Sequence, residues 1–298
     1  MGYFFMYEKD RIDINIEKLH EDFNNVKLGC SNQKFAFSKL DRFLYKKGQW
    51  IKLVDSGLKR YWFGHFEEYW YNVYGGRRLN FNDFFYLFNL YRSWFSNVEV
   101  DEKDKDTFIK SWQDPRNIYI LLHYVHKLAV HPFSYVQFEK ILKEKKGGNI
   151  LEYGAGMAPI VTSMLYNNKN DYHYYLADIR NYPYHYAKFR LKQYGVKFYD
   201  IEPLKFPDLQ ERYDVVFLQT VLEHLPDPIE VIKQLTERIN PGGILVFDYI
   251  KSDAKGLDTK AGLLERKNVV QFIESNFELV SGEFKYDESM GDTTVRKR

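Results

Sequence analysis

At 298 residues, 45% of them apolar, the chain exceeds the roughly 100 to 200 residues of an average domain, so two domains or one with a large elaboration are expected around a sizeable core. Lys plus Arg at 43 against Asp plus Glu at 41 leave a formal charge of +2, which provides no net pull toward nucleic acid and argues against such a partner. The lone cysteine, Cys30, excludes an intrachain disulfide and a cysteine zinc site, and fits residence in the cytoplasm.

Residues 1–7 are apolar but lack the length and basic start of a signal segment, and no run approaches the roughly 18 apolar residues of a membrane span, so no membrane is expected. A helix is expected from about residue 15, then strands or a hairpin near 34–37 and 50–54. Residues 60–71 crowd aromatics together, Tyr61, Trp62, Phe63, Phe66, Tyr69, Trp70 and Tyr71, until Gly75 and Gly76 break the run. Residues 80–96 carry Phe81, Phe84, Phe85, Leu87, Phe88, Leu90 and Trp94 nearly all round a helix, which must therefore be buried. The charged stretch 101–106 separates this aromatic, mainly helical region, residues 1–105, from a second domain, residues 106–298. Further helices are expected from about 107, over 117–129 and over 135–142. His123 and His126, three apart, share a helical face, and with His131, Glu223 and His224 they could gather a metal. Packed or surface histidines are the plainer account, and no metal is expected.

The chain then changes character. Residues 149–159 read Asn-Ile-Leu-Glu-Tyr-Gly-Ala-Gly-Met-Ala-Pro: a buried strand end, a turn with Gly154 and Gly156, and a helix that Pro159 can begin without losing a hydrogen bond. Such a turn lets a nucleoside lie against the main chain, although a Gly-x-Gly alone equally describes a tight turn with no ligand. The strands downstream give it weight. A strand over 172–179 ends in Asp178, about 20 to 25 residues past the glycines, where a ribose-binding acid sits in dinucleotide folds. Strands over 213–219 and 244–250, the second introduced by Asn240-Pro-Gly-Gly243, alternate with helices and imply a parallel sheet with right-handed crossovers. Beyond them a helix over 263–275, a strand over 277–286 and a returning strand over 293–296 would add an antiparallel edge, while residues 251–260 read as a loop at the rim of a pocket.

In the order and spacing of these pieces, residues 149–250 resemble the core of class I S-adenosylmethionine-dependent methyltransferases. Glu152-x-Gly154-x-Gly156 is similar to the family's first motif, with Ala158 where a third glycine often stands. Asp178-Ile179 resembles the second, Asp200-Ile201 the third, and the strand ending at Gln219 the fourth. Leu222-Glu-His-Leu-Pro-Asp-Pro228 looks like the subgroup that includes the ubiquinone-biosynthesis methyltransferases. The resemblance implies an α/β fold: a Rossmann-like, mostly parallel seven-stranded sheet with an N-terminal, mainly helical cap that shapes the substrate pocket. It also implies S-adenosyl-L-methionine as cofactor, with Asp178 on the ribose hydroxyls, Ile179 and Ile201 on the adenine faces, Asp200 accepting from the adenine amino group, and Gln219 near the sulfonium. Glu152 would orient the loop or reach the methionine ammonium.

Methyl transfer asks the protein to hold the acceptor in line, exclude water and, for a hydroxyl or amine, remove a proton. His224 is the candidate base, with Glu223 as its substitute or orienting partner. A capping or core histidine is the bland alternative. Trp112, Arg116, Tyr182 and Tyr184 are candidate pocket residues. The reaction expected is methyl transfer to oxygen, nitrogen or carbon of a small molecule or biosynthetic intermediate. Transfer to RNA or protein, and a non-catalytic cofactor-binding scaffold, stay open as alternatives, as does a homodimer.

Overall fold

The computed structural model describes residues 104–114, 147–166, 171–202, 205–251 and 256–298, with scattered positions between 68 and 100 and residues 117 and 120. The elements expected near residues 15, 34–37, 50–54 and 135–142, and the one expected over 117–129 apart from residues 117 and 120, lie outside the described residues, as do Arg116, His123, His126 and His131. The chain forms two compact units, Met1–Phe95 with Asp114–Glu139, and Ser96–Gln113 with Lys140–Arg298. In the first, Tyr91 sets its ring 6.0 Å from Trp94 and 5.7 Å from Phe95, the neighbours that helical spacing places on one face.

The second unit is a sheet of seven strands in the order β3-β2-β1-β4-β5-β7-β6. Its elements, in chain order, are α1 (Lys105–Trp112), β1 (Gly148–Tyr153), α2 (Pro159–Tyr166), β2 (Tyr172–Ile179), α3 (Tyr182–Leu191), β3 (Lys197–Ile201), β4 (Tyr213–Leu218), α4 (Pro228–Arg238), β5 (Ile239–Tyr249), α5 (Lys260–Leu264), α6 (Arg266–Asn276), β6 (Phe277–Ser281) and β7 (Met290–Lys297). The first five strands run parallel, with Ile150 of β1 beside both Tyr174 of β2 and Val215 of β4. β7 is antiparallel to β5 and to β6, which gives the expected antiparallel edge.

The strands form where buried apolar side chains are continuous, because both faces of a parallel sheet are covered. Leu151, Val216, Leu218, Leu245 and Phe247 are fully buried in one cluster with Ile232 and Leu235 of α4 and Val269 and Ile273 of α6. Each such side chain contributes about 1.5–3 kcal/mol by leaving water. Helix starts are set by local chemistry. Asn181 caps α3 by accepting from Tyr184 N at 2.8 Å, Asp227 caps α4 by accepting from Glu230 N at 3.2 Å, and Thr259 caps α5 by accepting from Gly262 N at 2.8 Å.

Three boundaries differ from expectation. The single helix over 263–275 is two, α5 and α6, joined at Glu265. The strand expected over 277–286 stops at Ser281, where Gly282 takes φ +91 and turns the chain. The strand expected from 244 begins at Ile239, its first residue pairing with Tyr213 before a register shift.

The chain leaves β1 outward through β2 and β3, then returns to pair β4 on the other side of β1. Strand order reverses there, and in open α/β sheets the ligand crevice lies outside the carboxyl ends of the strands at such a point, here β1 and β4.

Candidate active site

Two groups of side chains meet at that crevice. The first belongs to the turn after β1. Gly154 and Gly156 have φ of +64 and +51, and Ala158 has +55. A Cβ on Gly154 would lie 2.4 Å from Val221 Cγ2, so that glycine is required by close packing, whereas a Cβ on Gly156 would meet nothing nearer than Pro183 Cβ at 3.9 Å. The open face of the turn is therefore at Gly156, where a flat ligand could approach the main chain.

Both carboxylates expected here are tied to this turn. Glu152, buried at the end of β1, accepts from Ile160 N at 3.2 Å and Val161 N at 2.9 Å, so it caps α2 and fixes the loop, one of the two roles expected of it. Burial pushes its carboxyl up to about 8, against the downward pull of those two amides and of Arg190. Asp178 at the end of β2 accepts from Gly156 N at 2.6 Å, Ile179 N at 2.7 Å and Asn181 Nδ2 at 3.3 Å. Burial again dominates and holds its carboxyl at about 7. A carboxylate offers about four lone-pair sites. Three are in use, so one acceptor site on Oδ2 is unspent. A clasp of two ribose hydroxyls needs the long bond from Asn181 to yield.

The neighbouring third strand has a different arrangement. Asp200 pairs in register with Asp178, and its carboxylate ion-pairs with Arg180 at 3.1 Å and with Lys188. Ile179 and Ile201 sit beside each other in register at the strand ends, Ile201 buried and Ile179 half-buried. These apolar residues leave a nonpolar surface next to the acid. Tyr182 is fully buried, and Tyr184 hydrogen-bonds through its hydroxyl with the carbonyls of Leu176 at 3.0 Å and Tyr199 at 2.9 Å. Both of these candidate pocket residues are buried.

The second group follows β4. Gln219 donates through Nε2 to Asp292 Oδ1 of β7 at 2.8 Å. Thr220 takes φ +54, held there by Asp248 at the end of β5, which accepts from its N–H at 2.5 Å. That strained position turns the chain into one short 3-10 turn, Leu222–His224. Glu223 is buried, and its Oε2 has no hydrogen-bond partner; burial, opposed by His224 and reinforced by Asp248, raises its carboxyl to about 7. His224 is gripped at one nitrogen: Nδ1 lies 2.8 Å from Asp258 Oδ1 and 3.2 Å from Leu257 O. Trp112 of α1 meets the imidazole edge to face, centroids 5.1 Å apart at 78°. Burial lowers the histidine's affinity for a proton, but Asp258 and Glu223 outweigh it and the net shift is upward. His224 also lowers Asp178, so the two groups feel one another across the crevice.

Sequence reasoning missed Asp258, Asp248 and Thr220. Nothing in the run Gly256-Leu-Asp258 marks a carboxylate that returns to a histidine on another strand end, whereas Asp248, as the polar end of a buried strand, carried a signal that could have been used. Among the described residues no cluster of His, Cys, Asp and Glu is arranged to hold a metal ion.

Comparison with known proteins assigns a family. A family model described as a methyltransferase domain matches residues 121–279, more than half the chain. Ubiquinone biosynthesis O-methyltransferases of Histophilus somni and Haemophilus ducreyi are 27% and 25% identical over 175 and 174 residues, each alignment covering 53% of this chain and 67% of the relative. Among solved structures, the N-methyltransferase NodS from Bradyrhizobium japonicum shares 16% identity and a TM-score of 0.44, over 56% of this chain and 96% of that one.

Proposed function

The chain belongs to the methyltransferase-domain family, with S-adenosylmethionine as its methyl donor, and we propose that its acceptor is a small molecule methylated on oxygen. The observation that carries this reading is a glycine turn open at Gly156 and held by Asp178, with His224 close enough to act on that carboxylate. The relatives' description as O-methyltransferases of a biosynthetic route favours a hydroxyl acceptor.

Bound S-adenosylmethionine supplies a methyl group already activated by a positively charged sulfur. In this reading Gly154, Gly156 and Asp178 hold the nucleoside, Ile179 and Ile201 flank its base, and Glu152 keeps the turn in shape. Asp200 would accept from the adenine amino group alongside its pairing with Arg180 and Lys188. Gln219 would lie toward the sulfur. His224 takes the hydroxyl proton, and Glu223, buried with one oxygen unpartnered, supports the positive imidazole. Residues 1–105 are proposed to select the acceptor, and the protein to work in the cytoplasm; no described helix is long and apolar enough to cross a membrane. Whether it pairs as a homodimer is read by light scattering.

Calorimetry with S-adenosylhomocysteine, the demethylated cofactor, is expected to give saturable binding. Incubation with methyl-labelled cofactor and fractionated cell extract is expected to label a small molecule. Label in RNA or protein instead would replace the acceptor class, and absence of binding would overturn the reading.

A further inference from the structure

We propose that Asp258 is the positioning residue of the acceptor-side base: with the Leu257 carbonyl it holds the proton of His224 on Nδ1, so that Nε2 presents the lone pair to the acceptor hydroxyl. This rests on the reading of His224 as the base.

A backbone carbonyl can only accept, and Asp258 as a carboxylate can only accept, so a nitrogen 3.2 Å from one and 2.8 Å from the other must carry a hydrogen. In a neutral imidazole the second nitrogen is then the basic one. The arrangement is rigid on both sides. Thr259 N donates to Glu223 O at 2.9 Å, and Thr259 Oγ1 donates to Leu225 O at 2.7 Å, which binds the segment carrying Asp258 to the turn carrying His224. His224 N donates to Val221 O at 2.9 Å, and Trp112 sets the plane of the ring. The imidazole can neither rotate nor exchange its tautomer without breaking these contacts.

In the step this serves, the proton leaves the acceptor oxygen for Nε2. The oxygen's electron pair forms the bond to the methyl carbon, and the carbon–sulfur pair stays on sulfur, which becomes a neutral thioether. The imidazolium is stabilised by Asp258, in contact with Nδ1, and by the charge of Glu223 and Asp178, and later releases its proton to water. Among the described residues these groups, with Asp248 acting through Glu223, are the ones that bear on the charge of the ring.

The test is carried out on the full chain labelled with nitrogen-15 histidine, by two-bond proton–nitrogen NMR. Wild type is expected to show Nδ1 protonated and Nε2 bare once His224 is neutral. Asp258→Asn is expected to lower the His224 titration midpoint and mix the tautomers. It should cut kcat at neutral pH by about tenfold or more and move the alkaline-rising limb of the kcat profile with the NMR midpoint, leaving S-adenosylhomocysteine affinity within about twofold. Asp258→Glu is expected to restore the tautomer in part. A wild-type ring protonated on Nε2, or an Asp258→Asn profile that superimposes on wild type, overturns the proposal. Failure to bind S-adenosylhomocysteine would instead overturn the functional reading on which it stands, so the two failures are separable.

Discussion

The carboxyl ends of β1 and β2 and those of β4 and β5 border the same crevice, yet they treat their ionisable groups in opposite ways. On the first side every carboxylate oxygen accepts from a backbone amide, Glu152 from Ile160 and Val161 of α2 and Asp178 from Gly156 and Ile179. On the second, Glu223 is buried with an oxygen that has no partner, and both polar contacts of the His224 ring are made at Nδ1. Leaving a buried acceptor unsatisfied costs about 1–3 kcal/mol. A fold tolerates that where the capacity is needed for something other than folding. The difference marks a side that holds a ligand in place and a side that keeps acid and base capacity for reaction.

The sharpest way to break this contrast is to remove the reacting side alone. His224→Ala is expected to lower kcat by about a hundredfold or more, with S-adenosylhomocysteine affinity nearly unchanged by calorimetry. If affinity collapses together with rate, the two sides are one binding surface and the distinction is wrong. The opposite substitution acts on holding. Asp178→Ala removes the acceptor of Gly156 N–H and the remaining lone pair on Oδ2, so cofactor affinity should fall by about tenfold to a hundredfold, the worth of one hydrogen bond to a charged group. Because the Asp178 carboxyl sits near 7, wild-type affinity should rise as pH increases through 7 and that rise should vanish in the variant.

The holding side was also the more legible in sequence. Gly154, Gly156, Glu152 and Asp178 are local signals: a positive φ needs glycine, a strand end exposes one side chain, and the acid falls at a spacing set by one helix and one strand. The sheet could be read for the same reason, since continuous apolar runs alternate with helices over residues 149–250. The reacting side is built from contacts distant in sequence. Asp258 reaches His224 over a loop, Trp112 comes from α1, and Asp248 fixes Thr220 from the next strand. No spacing rule encodes those meetings. Asp200 shows the converse failure, because its likeness to the family's third motif was legible while the two cations that pair with it were not.

A third test moves from ligands to stability. Gly154→Ala adds a Cβ at φ +64 that lies 2.4 Å from Val221, on the residue pair that joins the turn of the holding side to the chain leaving β4. Strain of this kind costs about 1–3 kcal/mol, read as a lower urea midpoint, and His224 should lose its ordered NMR environment along with the turn. An unchanged midpoint would mean the two sides are not packed against each other at this point.

A smaller effect comes from pH. Glu152 near 8, Asp178 near 7 and Glu223 near 7 are all raised by burial above their values in an unfolded chain. Each binds its proton more tightly folded than unfolded, so its contribution is fully present in acid and is lost as pH rises through 7 to 8. The urea midpoint should fall between pH 6 and pH 8.5. Glu152→Gln should flatten the alkaline part of that fall, and Glu223→Gln the part nearer neutrality, apportioning it between the two sides.

The smallest expected effect concerns Ala158, where φ is +55 although the residue carries a Cβ. A left-handed alanine costs about 1–2 kcal/mol relative to a right-handed one, and glycine removes that cost while adding freedom to the unfolded chain. The two terms nearly cancel, so Ala158→Gly should change the unfolding free energy read from urea titration by less than about 1 kcal/mol in either direction. Its use lies in cofactor binding. Ala158 N donates to Ala155 O at 2.7 Å and Thr162 N donates to Ala158 O at 3.1 Å, so the residue passes the shape of the turn into α2. If the turn must be rigid to hold a nucleoside, the glycine variant should bind S-adenosylhomocysteine more weakly with no change in kcat at saturation, a loss confined to the holding side. Equal affinity would mean that Glu152, bridging to Ile160 and Val161, is enough to keep the turn in shape without the alanine.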